Sequence, residues 1–244
     1  MRNIKLTVEY DGTDFHGFQR QPHLRTVQGE LEERFSRLLG ERVHLIGAGR
    51  TDAGVHALGQ VANFRTTRPV AIGRLADVLN CVLAEDVKVR ACEEVEESFH
   101  ARRCARRRRY RYTAIEREQP SPILGRFALI VSGRLDVDEM NIAAAALLGR
   151  HDFRAYQASG SETTTTERNL LRLSCRRNGR RIEITAEAGS FLYKMVRIMV
   201  GALLRVGRGE LRPEAVAEAL ATGEALTKCP PAPACGLCLI RVSY

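Results

Sequence analysis

Hydrophobic and polar residues alternate from the first positions of the chain. Ile4, Leu6, Val8 and Tyr10 lie between Lys5, Thr7 and Glu9, a period of two that predicts a strand with one buried face. Asp11 to Phe18 is rich in turn residues and reads as a loop. Val27, Leu31, Phe35 and Leu38 then recur at helical spacing, with Thr26 placed to cap the helix and Gly40 to end it. Val43 to Ile46 is short and apolar and Gln60 to Phe64 alternates, so residues 47–56 read as a loop between two strands. Ile72, Leu75 and Leu79 suggest a second helix, and Val87, Val89 and Ala91 a further strand. The second half continues the mixture without visible repetition. Asp136, with Glu139 three residues on, starts a helix through Met140, Ala144 and Leu147 that Gly149 ends. Asn178-Gly179, between Leu171-Arg172-Leu173 and Ile182-Glu183-Ile184, is a hairpin signal. Gly189 to Gly201 begins a helix apolar on nearly every side, which predicts burial, and Leu237 to Val242 alternates again. Strands and helices mixed without regular alternation point to the α+β class.

Composition narrows the setting. At 244 residues and 44% hydrophobic, the chain has room for one large or two modest domains and an ample core. Its beginning is charged and alternates at once, and no long apolar run follows, so a soluble cytoplasmic protein with no membrane association is expected. Seven cysteines, an odd number, suggest free thiols in a reducing compartment. Cys235 and Cys238 have C-x-x-C spacing with Cys229 nearby. A zinc site needs a fourth ligand and usually a second close pair, neither of which is evident, so no metal is expected. The net charge is +9, and of the 38 basic residues 34 are Arg and 4 are Lys. Arginine binds phosphate in a planar, bidentate manner and stacks on bases, which suggests a polyanionic partner, although a genome rich in G and C has the same effect on composition.

The candidate chemistry begins in Gly47-Ala48-Gly49-Arg50-Thr51-Asp52-Ala53-Gly54-Val55-His56. No Lys follows a glycine as a phosphate-binding loop requires, and Asp52 stands where a dinucleotide fingerprint needs its third glycine. What remains is one carboxylate with Arg50 two residues before it and His56 four after. The plainer alternative is a turn in which Asp52 bonds nearby amides. A second signal lies at Arg102 to Tyr112, where seven arginines occupy ten positions and Tyr110 and Tyr112 interleave with them. Arginines hold phosphates and an aromatic ring offers a face to an unstacked base. In a strand, Tyr110 and Tyr112 share one face and Arg109 and Arg111 the other, and either tyrosine could equally be ordinary core. Arg197 is anomalous in an apolar helix, because an unpaired buried guanidinium costs several kcal/mol, so a carboxylate or a cleft is expected beside it. Lys194 reads as snorkelling to solvent. Ser159 to Arg168 reads as a mobile polar loop, and the acidic run Glu93 to Glu97 as a solvated segment.

Taken in order, Tyr10-Asp11-Gly12-Thr13, Gln19-Arg20-Gln21-Pro22, Thr26-Val27-Gln28, Gly47 to His56, Phe99-His100-Ala101-Arg102, Arg109-Tyr110-Arg111-Tyr112, Gly149-Arg150-His151-Asp152-Phe153, Met195-Val196-Arg197 and the Gly236-Leu237 ending resemble the tRNA pseudouridine synthase A family over nearly the whole chain. The resemblance implies two α+β domains, residues 1–104 and 105–244, each RRM-like or ferredoxin-like with a mainly antiparallel sheet. It further implies that the sheets join into one, with the active site in the cleft between domains. It implies a homodimer that clasps the anticodon arm of tRNA and isomerises uridines at positions 38, 39 and 40 by base flipping, with no cofactor and no metal. By the matched motifs Asp52 takes the place of the catalytic aspartate, Arg50 that of the arginine beside the flipped nucleotide, Tyr110 that of the ring against the target base, and Arg197 that of the aspartate's ion-pair partner. Phe18 stands where the family commonly has tryptophan and Cys238 where a tyrosine is usual, and residues 159–166 do not align. A non-catalytic protein that binds structured RNA is the alternative, although it gives Asp52 no purpose.

Overall fold

The computed structural model describes residues 1–160, 163–226 and 229–244. In chain order the elements are β1 (Arg2–Tyr10), α1 (Val27–Leu39), β2 (Ile46–Gly47), β3 (His56–Thr66), α2 (Ile72–Asn80), β4 (Val87–Val95), β5 (Arg107–Glu116), β6 (Leu129–Val131), α3 (Val137–Ala145), β7 (Gly149–Asp152), β8 (Glu167–Asn178), β9 (Arg181–Ala188), α4 (Met195–Gly207), α5 (Pro213–Thr222) and β10 (Leu237–Ser243). The chain divides into two compact units, Met1–Arg106 with Cys238–Tyr244, and Arg107–Leu237. The last seven residues therefore pack with the first unit, whereas the sequence reading places them in a domain of residues 105–244. Pairing of β10 with β3, which joins Cys238 to His56 and Leu239 to Ala57, is what draws them back.

In the first unit β1 runs antiparallel to β3 on one side and β4 on the other, and β2 adds to β3. Ile4, Leu6, Val8 and Tyr10 are buried, as the alternation of β1 predicts. Gln60 to Phe64 departs from its predicted alternation, because β3 is a central strand and both its faces are covered. Asn63 is consequently buried, and its amide is satisfied by Asn3 and by the Ala101 N–H. In β4 the register slips between Thr7 and Val8 of the partner strand, so Ala91 turns outward and Cys92 inward. The acidic run lies along and just beyond this strand, and its Glu93 and Glu94 pair with Lys5 and Arg2 in exposed contacts. Helix α1 is capped by Thr26, whose hydroxyl accepts from the Gly29 N–H, and it ends at Gly40 in the left-handed region. Leu38 is exposed, while Phe35 packs on Phe64 with ring centroids 6.1 Å apart.

In the second unit β5, β9, β8 and β7 pair antiparallel in that order, and β6 runs parallel to the end of β5. The hairpin between β8 and β9 forms one residue later than Asn178-Gly179 suggests. Asn178 and Arg181 pair as the last ladder residues, and Gly179 opens the turn with φ +59°. Helix α3 is capped by Asp136 but ends at Ala145, and Gly149 begins β7 with φ +101°. Leu147 is fully buried from a turn, so its helical spacing is satisfied without helix. Helix α4 starts at Met195, later than the apolar run suggests, because Tyr193 and Lys194 form a turn closed by the Met195 N–H on the Leu192 carbonyl, in which Lys194 takes a left-handed φ of +57°. Its burial is otherwise as predicted, from Met195 to Gly207 on nearly every side. The polar run lies partly outside the described residues, at 161 and 162, and its last residues, Glu167 and Arg168, belong to β8. Among the described residues no helix is long and apolar enough to cross a membrane.

Candidate active site

Residues 48–55 connect β2 to β3, and hydrogen bonds from the surrounding chain set the course of this loop. Ala48 donates its N–H to the Val61 carbonyl at 2.7 Å, and Gln60, fully buried, donates its side-chain amide to the Gly49 carbonyl at 3.0 Å. The Thr51 carbonyl accepts from the Phe18 N–H at 3.1 Å, and the Val55 N–H closes a turn onto the Asp52 carbonyl at 3.2 Å. Gly54 takes the third place of that turn with φ +76°, a conformation that costs glycine little and other residues more. The neighbouring loop lies so close that a Cβ on Gly12 would stand 2.0 Å from the Val55 carbonyl oxygen.

Within this frame Asp52 is half-buried, and Arg50, two residues earlier, is exposed. Beneath them the Tyr10 hydroxyl lies 2.8 Å from Thr51 Oγ1 in the interior. His56, buried at the start of β3, has Nδ1 3.0 Å from the Gly12 N–H and 3.1 Å from Asp11 Oδ1. One nitrogen cannot accept from the first and donate to the second at once, so its protonation decides between them.

The approach to the loop is held from α1. Glu32 is buried, and its carboxylate accepts from the Leu45 N–H at 2.9 Å, from Gln28 at 2.8 Å and from Arg20 at 3.0 Å. Gln28 also donates to the Leu45 carbonyl and accepts from the Arg20 N–H. Arg20 and Gln28, two of the recurrent motif positions, are thus structural supports of the strand that leads to Asp52.

Tyr110 and Arg197 lie in the second unit. On β5, Tyr110 and Tyr112 share one face as the alternation predicts, and it is the inner one: they are 8% and 0% exposed, and Tyr110 meets Phe191 edge-to-face at 5.4 Å. On the other face Arg109 and Arg107 pair with the buried Glu187, at 2.6 and 3.6 Å, and Arg111 lies 3.9 Å from Glu183. Much of the arginine run is therefore paired within the sheet although Arg107 and Arg109 are exposed, and Arg103 and Arg106 are exposed as well. Arg197, in the first turn of α4, is half-buried and donates Nε to the Ala232 carbonyl at 2.8 Å. Lys194 holds its ammonium 5.0 Å from the exposed Tyr193 ring.

Among the cysteines, Cys81 and Cys104 are exposed and Cys175 is buried. Among the described residues no group of three or more His, Cys, Asp or Glu is placed to hold a metal ion. Sequence reasoning missed the Tyr10–Thr51 pair, Gln60 and Glu187. The alternation placed Tyr10 in the core, but nothing local discloses that its hydroxyl meets a loop that returns forty residues later.

A family model described as tRNA pseudouridine synthase matches residues 6–102 and 143–244. The chain belongs to this family. It is 43% identical to the tRNA pseudouridine synthase A of Thermoanaerobacter sp. (strain X514) over all of both chains. It is 42% identical to that of Acetivibrio thermocellus, again over all of both, and 44% identical to that of Moorella thermoacetica over 99% of each. Among solved structures, a chain of a Cbf5-Nop10-Gar1 complex aligns with 96% of this chain and 57% of its own, at 9% identity and a TM-score of 0.37, a likeness too slight to bear on function. The family match takes in the 48–55 loop with Asp52, and also Arg197, while Tyr110 falls between its two segments.

Proposed function

We propose that this family member converts uridine to pseudouridine in the anticodon arm of tRNA, at positions 38, 39 and 40, with Asp52 as the reacting acid. The observation that carries the reading is identity of 40% or more along the entire chain with relatives that bear the synthase name. The chemistry asks little of a protein. The N1–C1′ bond of uridine breaks, a C5–C1′ bond forms, the C5 hydrogen leaves as a proton and N1 gains one, so nothing is oxidised and no group is transferred. One carboxylate at the base–sugar junction suffices, whereas a hydrolytic glycosidase uses two carboxyls and a water. In this reading Arg50 contacts the flipped nucleotide, Tyr110 faces the extruded base, and Arg197 is the guanidinium that favours the ionised acid in the working enzyme. Neither cofactor nor metal enters any step. The resemblance further supports a homodimer, and free thiols together with a tRNA substrate support the cytoplasm.

An RNA-binding module without activity is the competing account, and it leaves the carboxylate as a charge that weakens RNA affinity. Incubation with unmodified tRNA carrying tritium at uridine C5, in the presence of a chelator, separates the two. Tritium release supports isomerisation. Tight binding without release overturns it. Asp52→Asn is expected to bind tRNA within about twofold of the parent and to release tritium at background rate, and turnover by that variant removes Asp52 from its role.

A further inference from the structure

The Tyr10 hydroxyl and Thr51 Oγ1, 2.8 Å apart, are both buried, and Thr51 directly precedes Asp52. Phenylalanine and valine would fill nearly the same volume, so the pair of hydroxyls is not required for packing. Its two ends differ in rigidity. Tyr10 closes β1, in register with Ala57 of β3 and Val87 of β4, and its ring lies 6.5 Å from each of Phe15 and Phe18. Thr51 belongs to no strand or helix. Threonine is branched at Cβ, so holding its Oγ1 restricts χ1 and, with the carbonyl bond to Phe18, restrains the peptide that leads into Asp52. On the far side His56 is fastened to the Asp11–Gly12 segment. The acid is thus carried on a short span of chain secured at both ends to the sheet and its adjoining loop.

We propose that Tyr10 is a positioning residue for Asp52, its hydroxyl acting through Thr51 to hold the carboxylate where the reaction needs it. The inference rests on Asp52 being the reacting acid. Displacing a reacting group by about 1 Å costs about a hundredfold in rate, so loss of this bond should be read in the chemical step.

The test is single-turnover isomerisation at saturating tRNA, with tRNA affinity and far-UV circular dichroism measured on the same preparations. Tyr10→Phe is expected to slow the step about 10- to 100-fold with the dissociation constant changed less than about twofold. Thr51→Val should do the same, the double variant should be no slower than the worse single, and Thr51→Ser, which keeps the hydroxyl, should recover most of the rate. A merely structural bond would lower activity only in proportion to the unfolded fraction, with full recovery on cooling. A folded Tyr10→Phe protein at the parental single-turnover rate overturns the inference, as do losses that multiply in the double variant. If Tyr10→Phe does not fold, the comparison of Thr51→Val with Thr51→Ser decides, and equal rates for those two overturn it. Asp52→Asn run in parallel keeps the questions apart. Turnover by it defeats the underlying reading, whereas an inactive Asp52→Asn beside an unimpaired Tyr10→Phe defeats the positioning role alone.

Discussion

Cys175 lies on the buried face of β8, where Asn141 of α3 clasps its backbone with bonds of 2.8 and 3.0 Å. Burial pushes its thiol up to about 12, because the interior solvates a thiolate poorly. In the unfolded chain the same thiol ionises near its ordinary value. The folded state therefore holds the proton more tightly, and its advantage is complete below about pH 9 and is lost as pH rises toward 12. Each pH unit in that window costs up to about 1.4 kcal/mol. Chemical unfolding between pH 8 and 11 should show a shallower alkaline decline for Cys175→Ala than for the parent, although its stability at neutral pH is lower. At pH 8 a thiol reagent should label the exposed Cys81 and Cys104 and spare Cys175 until the protein unfolds. An equal rate at Cys175 would show that this interior opens readily. Asp52 and Arg197 make the complementary point about legibility. The sequence singled out both, since a lone acid among glycines and a cation in an apolar helix are chemically odd, but it contained no sign of the Ala232 carbonyl that takes one edge of the guanidinium.

Among the elements, α1 does more than cover the sheet. Its buried Glu32 satisfies the Leu45 N–H, Gln28 and Arg20 together, and so joins the helix to the strand entering the 48–55 loop. Glu32→Ala leaves the Leu45 N–H and the Gln28 amide without their acceptor in the interior, while the exposed Arg20 turns to solvent, at a cost of about 3 kcal/mol. For a chain of this size that corresponds to a fall in melting temperature of about 6–12 °C, measurable by calorimetry. An unchanged melting temperature would mean that the approach to the loop is held by packing alone. Helical spacing and the Thr26 cap revealed α1 in the sequence, while its buried carboxylate did not stand out from the charged residues around it. The misplaced ends of α3 and α4 share one cause. Leu147 and Leu192 are buried from turns, and hydrophobic spacing records burial whatever backbone delivers it.

At the scale of the whole molecule the chain carries a net charge of +9, and RNA binding by such a surface is coupled to release of counterions. The affinity for tRNA should fall steeply with salt. Replacing the exposed Arg103 and Arg106 with glutamine should reduce the slope of log affinity against log salt by about 0.7–0.9 for each phosphate no longer neutralised. Arg107 and Arg109 should contribute less to that slope, since Glu187 already pairs with both. Titrations of tRNA at several ionic strengths check this, and a slope untouched by the first two substitutions would place the RNA elsewhere.

The chain's own pattern determined which stretches form strands and helices, the inward face of β1, the shared face of the two tyrosines on β5, and the family through its motifs. Those properties arise from neighbours within a few residues, which a period of two or of about four records directly. Tertiary structure decided that β3 is covered on both faces, that the final strand returns to the first unit, that much of the arginine run is paired within its own sheet, and that Tyr10 reaches Thr51. Each of these depends on groups brought together from distant positions, and no local periodicity encodes which remote partner will arrive.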